Sequence, residues 1–168
     1  MAKPQQSGFT IIELVITITI IAILAAIALP KYVALQSDAR AAKLQAAAGS
    51  VKSAAALAKA ICMTQTATGS ITSLLAGGCD AAASPTTGVK MDGSPVLTGF
   101  AYPTAAAGGI DIASQLLTTD YTLAFAGNVM TVQPIGATAP GTCQFLYTWN
   151  PPVANGAPTV SAPVITGC

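Results

Sequence analysis

Histidine is absent from the 168 residues, and charged residues of either sign make up only 8%. A soluble globular domain carries roughly 25% charged residues, so much of this surface has something other than water to face. Without histidine, the commonest general base and a frequent metal ligand are missing. The acidic residues are Glu13, Asp38, Asp80, Asp92, Asp111 and Asp120, and no two are close enough in sequence to suggest a carboxylate pair. No nucleophile motif is present either. These absences argue against an enzyme and against a bound cofactor or metal. Asp92-Gly93 offers one carboxylate where calcium takes about six to eight oxygens, so no calcium loop is expected there. Basic residues are equally sparse. Seven Lys and Arg leave a net charge of +1, with no run or patch, and nucleic acid is not an expected partner.

Cysteine is scarce but even in number: Cys62, Cys79, Cys143 and Cys168. None forms a C-x-x-C pair, and a zinc site without histidine would need all four at an unusual spacing. Two disulfides in an exported chain fit better than free thiols. Four cysteines allow three pairings. The sequential one, Cys62–Cys79 with Cys143–Cys168, is the expectation, each closing a loop worth about 3 kcal/mol in the chain-entropy view.

What the chain has in plenty is apolar sequence at one end. Ile11 to Leu29 reads IIELVITITIIAILAAIAL, interrupted by one charge, Glu13. At about 1.5 Å per residue such a run nearly crosses a hydrocarbon core of about 30 Å. A secretory signal has a shorter core and a small-residue cleavage site after it. Here the sharp boundary comes before the run, at Ser7-Gly8-Phe9, behind a short leader carrying Lys3. A plain membrane anchor has no need of a carboxylate, and an ionisable group in a spanning helix calls for a named partner. Cleavage after Gly8 would create an amine at Phe9, about one turn from Glu13. In a staggered stack of helices, Glu13 of one copy would meet the Phe9 amine of the next and fix the axial register.

Gly8-Phe9-Thr10-Ile11-Ile12-Glu13, the apolar run and Pro30 together resemble the prepilin signature of type IV pilins and type II secretion pseudopilins. The resemblance implies cutting between Gly8 and Phe9 by a prepilin peptidase, N-methylation of Phe9, and Glu13 as the assembly carboxylate. It also places a helix bend at Pro30. Pro30 to Arg40, with Leu35-Gln36-Ser37-Asp38-Ala39-Arg40, is similar to the mannose-sensitive haemagglutinin (MSHA) pilin subgroup.

Beyond Pro30 the helical pattern continues. Leu44, Ala48, Val51, Ala55, Ala58 and Cys62 recur at steps of three and four, opposite a polar stripe of Gln45, Lys52 and Lys59, so an amphipathic helix is predicted to Ile61. Gly49 costs roughly 1 kcal/mol against alanine there. It reads either as a close-packing point or as a tolerated defect. Asp38 and Arg40, two apart, do not face each other and are expected on a solvated surface. From residue 63 Gly, Pro, Thr and Ser rise. Thr64–Thr87 reads as an irregular connection and Ile110–Leu117 as a short helix. Tyr121–Phe125 and Val129–Gln133 flank the hairpin signal Gly127-Asn128. Cys143–Trp149 reads as a strand with Phe145, Tyr147 and Trp149 on its core face, ended by Pro151-Pro152. Thr159–Thr166 would add a last strand.

The expected organisation is a leader (1–8), an apolar spanning and assembly half of the helix (9–30), an amphipathic half (31–62) and a disulfide-stapled head (63–168). The fold class is α+β: the type IV pilin fold, a long N-terminal spine helix on a C-terminal antiparallel sheet. The resemblance implies a structural subunit that forms a homopolymer. It would be held in the inner membrane as a precursor, handled by the pilus assembly machinery there, and displayed as a surface pilus of a Gram-negative bacterium. A type II secretion pseudopilin is the alternative. The four cysteines and the missing calcium loop favour the pilus.

Overall fold

The structure is a computed structural model and describes residues 8–68, 88–150 and 156–168, with side chains described to Thr64 in the first segment. It falls into two units, residues 1–38 and 39–168, and one helix, α1 (Ile11–Thr68), contributes to both.

In the first unit every residue from Gly8 to Gln36 is exposed. The helix is apolar all round, with an 18-residue window of mean hydropathy 2.8 and none of it buried. A helix of this kind is stable only with lipid or other helices around it. Its two mid-run threonines are satisfied locally: Thr17 Oγ1 donates to the Leu14 carbonyl and Thr19 Oγ1 to the Ile16 carbonyl, both at 2.8 Å. The helix continues through Pro30, whose ring removes one donor without ending it. It also ends at Thr68, beyond the predicted Ile61.

In the second unit, α1 from Ala39 onward lays one face on the head. Leu44, Ala48, Val51, Ala55, Ala58 and Cys62, the predicted stripe, are all at most 5% exposed. Their small side chains let strands approach the helix closely. The partners come from two antiparallel sheets, where one was expected. The first is β1 (Gly88–Met91), β2 (Ser94–Gly99) and β3 (Tyr102–Pro103), in that order. Its Asp92-Gly93 turn has φ of +49° and +77°, positive at both central residues as a type I′ hairpin requires. The same dipeptide announces that hairpin in the sequence, beside the calcium reading rejected above.

The predicted helix at Ile110 is a single turn, α2 (Ile110–Ala113), because Gln115 swings to φ +54° just after it. The second sheet runs β4 (Tyr121–Ala126), β5 (Val129–Pro134), β6 (Phe145–Thr148) and β7 (Thr159–Val160), neighbours in chain order. Gly127-Asn128 turns the β4–β5 hairpin as expected, between the pair Ala126 and Val129. The last strand is shorter than predicted: β7 has two residues, and beyond it Val164 forms an isolated bridge with Gln144. Pro163 in between has no N–H for a ladder.

Cys143, Phe145, Tyr147 and Trp149 are buried against Leu44, Val51 and Ala55 of α1, so the aromatic stripe is core. Its polar ends are answered. Tyr147 Oη donates to the Pro103 carbonyl at 2.6 Å, and Trp149 Nε1 to the Gly99 carbonyl at 3.3 Å. Both bonds join the second sheet to the first. Ala58 and Cys62 close a smaller cluster with Val89 and Val96. Cys143 and Cys168 are disulfide-bonded, as expected. Cys62 is disulfide-bonded too; its expected partner Cys79, like most of Thr64–Thr87 and Pro151-Pro152, lies outside the described residues.

Candidate functional site

The chemistry-bearing residues of the N-terminal segment sit at the first turn of α1. Gly8, Phe9 and Thr10 precede the helix and are non-helical, and Phe9 is 82% exposed. The Gly8–Phe9 amide is therefore open backbone, the form a protease needs. Thr10 occupies the N-cap position and Glu13 the third helical position. Thr10 N–H donates to Glu13 Oε2 at 3.0 Å and Thr10 Oγ1 donates to the same oxygen at 2.7 Å. Glu13 N–H lies 3.3 Å from Thr10 Oγ1. This is a capping box, in which cap and third residue satisfy each other's backbone donors. The carboxylate thus points back along the chain, toward the side on which an amine at Phe9 would appear. Among the described residues no cation reaches Glu13, since the salt bridge present there is Lys43–Asp120.

Thr10 is the residue that motif reasoning passed over. Its signal was legible as Thr-x-x-Glu ahead of an apolar run. Pro30 lies 17 residues beyond Glu13, about 25 Å along a helix, and does not join this site.

Three charged residues of the second unit, Arg40, Lys43 and Asp120, are tied within it. Arg40 Nη1 donates to the Cys168 main-chain oxygen at 2.7 Å, so Arg40 ties the helix to the C-terminal loop and is not the solvated side chain expected. Lys43 Nζ reaches Asp120 Oδ1 at 2.6 Å and lies 5.1 Å from the Tyr121 ring centre. Tyr121 Oη in turn donates to the Lys43 carbonyl. Burial pushes the Tyr121 phenol up, with Lys43 opposing and Asp120 adding to the shift. Burial, with a smaller contribution from Tyr102, pushes the Tyr147 phenol up further. Among the described residues no group of three or more His, Cys, Asp or Glu is placed to hold a metal.

Residues 3–29 match the family described as the prokaryotic N-terminal methylation motif. The type IV narrow pilus major component PilA5 of Thermus thermophilus is 53% identical over 54 residues, 32% of this chain and 47% of that protein. The chain thus spans about half the length of this curated relative. No solved structure gives a significant match.

Proposed function

We propose that this chain is the precursor of a type IV pilus subunit, a structural protein polymerised through its N-terminal helix. The observation that carries the reading is the matched methylation segment, residues 3–29, whose one charge inside the apolar helix is the capped Glu13 and whose Gly8–Phe9 bond is exposed. A prepilin peptidase hydrolyses that bond with water, leaving a carboxylate on Gly8 and an amine on Phe9, and N-methylates the amine with the methyl group of a sulfonium donor, which leaves as the thioether while the amine loses a proton. The leader with Lys3 is lost, and the helix then begins with a positive end.

Glu13 has an answer in this scheme. One carboxylate oxygen serves the helix cap, and the other is open to the Phe9 amine of an adjacent copy. Pairing matters because an ionised group left alone in an apolar environment costs several kcal/mol. Pairing neutralises two charges at once and sets how far one helix is displaced along the next. The apolar, wholly exposed run is a membrane store in the precursor and a filament core afterwards. Its contacts before assembly are the inner membrane and the assembly machinery in it, and the surface of a Gram-negative cell is where the filament is displayed. The likeness of residues 30–40 to the MSHA subgroup belongs to this proposal. A pilus component among the relatives favours a pilus over a secretion pseudopilin.

The test is on cells producing the chain. Sheared material is expected to contain thin filaments whose subunit begins at N-methylated Phe9 by mass. Gly8→Ala is expected to insert but accumulate uncut. Normal processing of that variant, or a chain found only in the inner membrane, overturns the reading.

A further inference from the structure

Within the head, α1 carries two unlike flanks. On one, Lys52, Ala55, Ala56 and Lys59 face Tyr102 and Val160 across a groove of about 370 Å³. Lys52 and Lys59, seven residues apart, point within about 20° of each other round the helix. Lys59 Nζ lies 2.8 Å from Tyr102 Oη and 4.9 Å from its ring centre, which holds that ammonium at the groove wall. Among the described residues no acidic side chain lines the groove, and neither lysine has a salt bridge.

The other flank lies about 140–180° round the same helix, at Leu57 and Ile61. There the Asp92 turn, Met91 and Ile112 stand beside the helix. Leu57 is 54% exposed and Ile112 39%. Asp92 accepts one hydrogen bond, from Gln115 Nε2 at 3.2 Å, and has no salt bridge among the described residues. Lys90 shares this flank, so the carboxylate at the turn is a local feature and not part of an acidic patch.

We propose that the occupant of the Lys52–Lys59 groove is the Asp92 turn of a second copy of this chain, with Leu57 and Ile112 seated beside it. The inference rests on the filament reading and gives it a lateral head contact. Three observations favour a second copy. The groove holds two cations with no carboxylate partner among the described residues, over an apolar floor. The opposite flank offers a carboxylate beside exposed apolar side chains. Both occupy the same stretch of helix, residues 52–61, on opposite sides. A contact between unlike faces is heterologous, and it propagates from copy to copy without using itself up. The apolar side chains supply the buried area, and the charges select partner and register.

The test uses the full chain assembled into filaments. Lys59→Cys and Asp92→Cys together are expected to give a ladder of linked multimers on non-reducing gels, absent with either cysteine alone. Normal filaments without a ladder overturn the contact. A charge exchange avoids new thiols. Lys52→Glu with Lys59→Glu is expected to lower filament yield about tenfold, and adding Asp92→Lys to restore most of it. Yield unmoved by the reversal, or lost without rescue, overturns the contact. A wild-type chain that forms no filaments removes the filament reading itself, which separates the two failures.

Discussion

Glu13 is tolerated three residues into an apolar helix because Thr10 gives it two donors. Thr10→Val keeps the shape and removes the hydroxyl. The first turn is expected to lose about 1 kcal/mol, seen as roughly fivefold faster exchange of its amides in detergent, with Thr10→Ser restoring protection. Glu13→Ala is expected to be cut normally and to assemble poorly, because the Phe9 amine then has no carboxylate; filament yield equal to wild type rules out the register role. In the head, Tyr147 and Tyr121 have phenol pKa values raised by burial. A raised folded value means stability that is complete below the unfolded value of about 10 and lost as pH rises through the folded one. The head is therefore expected to melt at lower temperature above about pH 10. Tyr147→Phe should flatten that dependence while costing about 1–3 kcal/mol at neutral pH, since the Pro103 carbonyl is left buried and unpaired. Trp149, the single tryptophan, reports head unfolding by fluorescence.

Secondary structure was legible where one local rule dominates. Every residue of the stripe that periodicity picks on α1 is buried, with Ala47 and Ala54 beside it, and Gly-Asn gave the β4–β5 hairpin. The first sheet was missed although Asp92-Gly93 marks it, because its strands are short and carry little alternation. The glycines separate by context. At Gly109 an added Cβ would stand 2.2 Å from the Thr104 carbonyl oxygen and 2.4 Å from Thr104 Oγ1. Backbone cannot yield that far, so Gly109→Ala is expected to lose the β3–α2 connection, read as a large drop in melting temperature. At Gly49 a Cβ meets nothing within 4 Å. Gly49→Ala is expected to stabilise the single chain by about 1 kcal/mol. A stabilised subunit that no longer forms filaments would mark Gly49 as a point of close approach between copies. Unchanged assembly would mark it as a tolerated defect.

At the scale of the molecule, the two units divide the work. The first has no core of its own and is built from residues that need a surrounding. The second closes a core from α1 and two sheets and is stapled by Cys143–Cys168, a separation of 25 residues. Reducing that bond is expected to remove about 3–4 kcal/mol on the chain-entropy scale. The Arg40 bond to the Cys168 main-chain oxygen should weaken with it, because both hold the same loop.

The amino-acid sequence by itself determined the N-terminal site. Gly8, Phe9, Thr10, Glu13 and the apolar run are contiguous, and their geometry is that of one helix start, which local rules specify. Only the tertiary structure decided what the head does with its charges. Lys43 and Asp120 are 77 residues apart, and Arg40 and Cys168 are 128 apart. No local spacing brings such pairs together. Nor could periodicity show that Lys52 and Lys59 border a groove or that Asp92 stands on the opposite flank. Those placements follow from which strands pair and how they lie on the helix, and each is a sum of many weak, distant contacts.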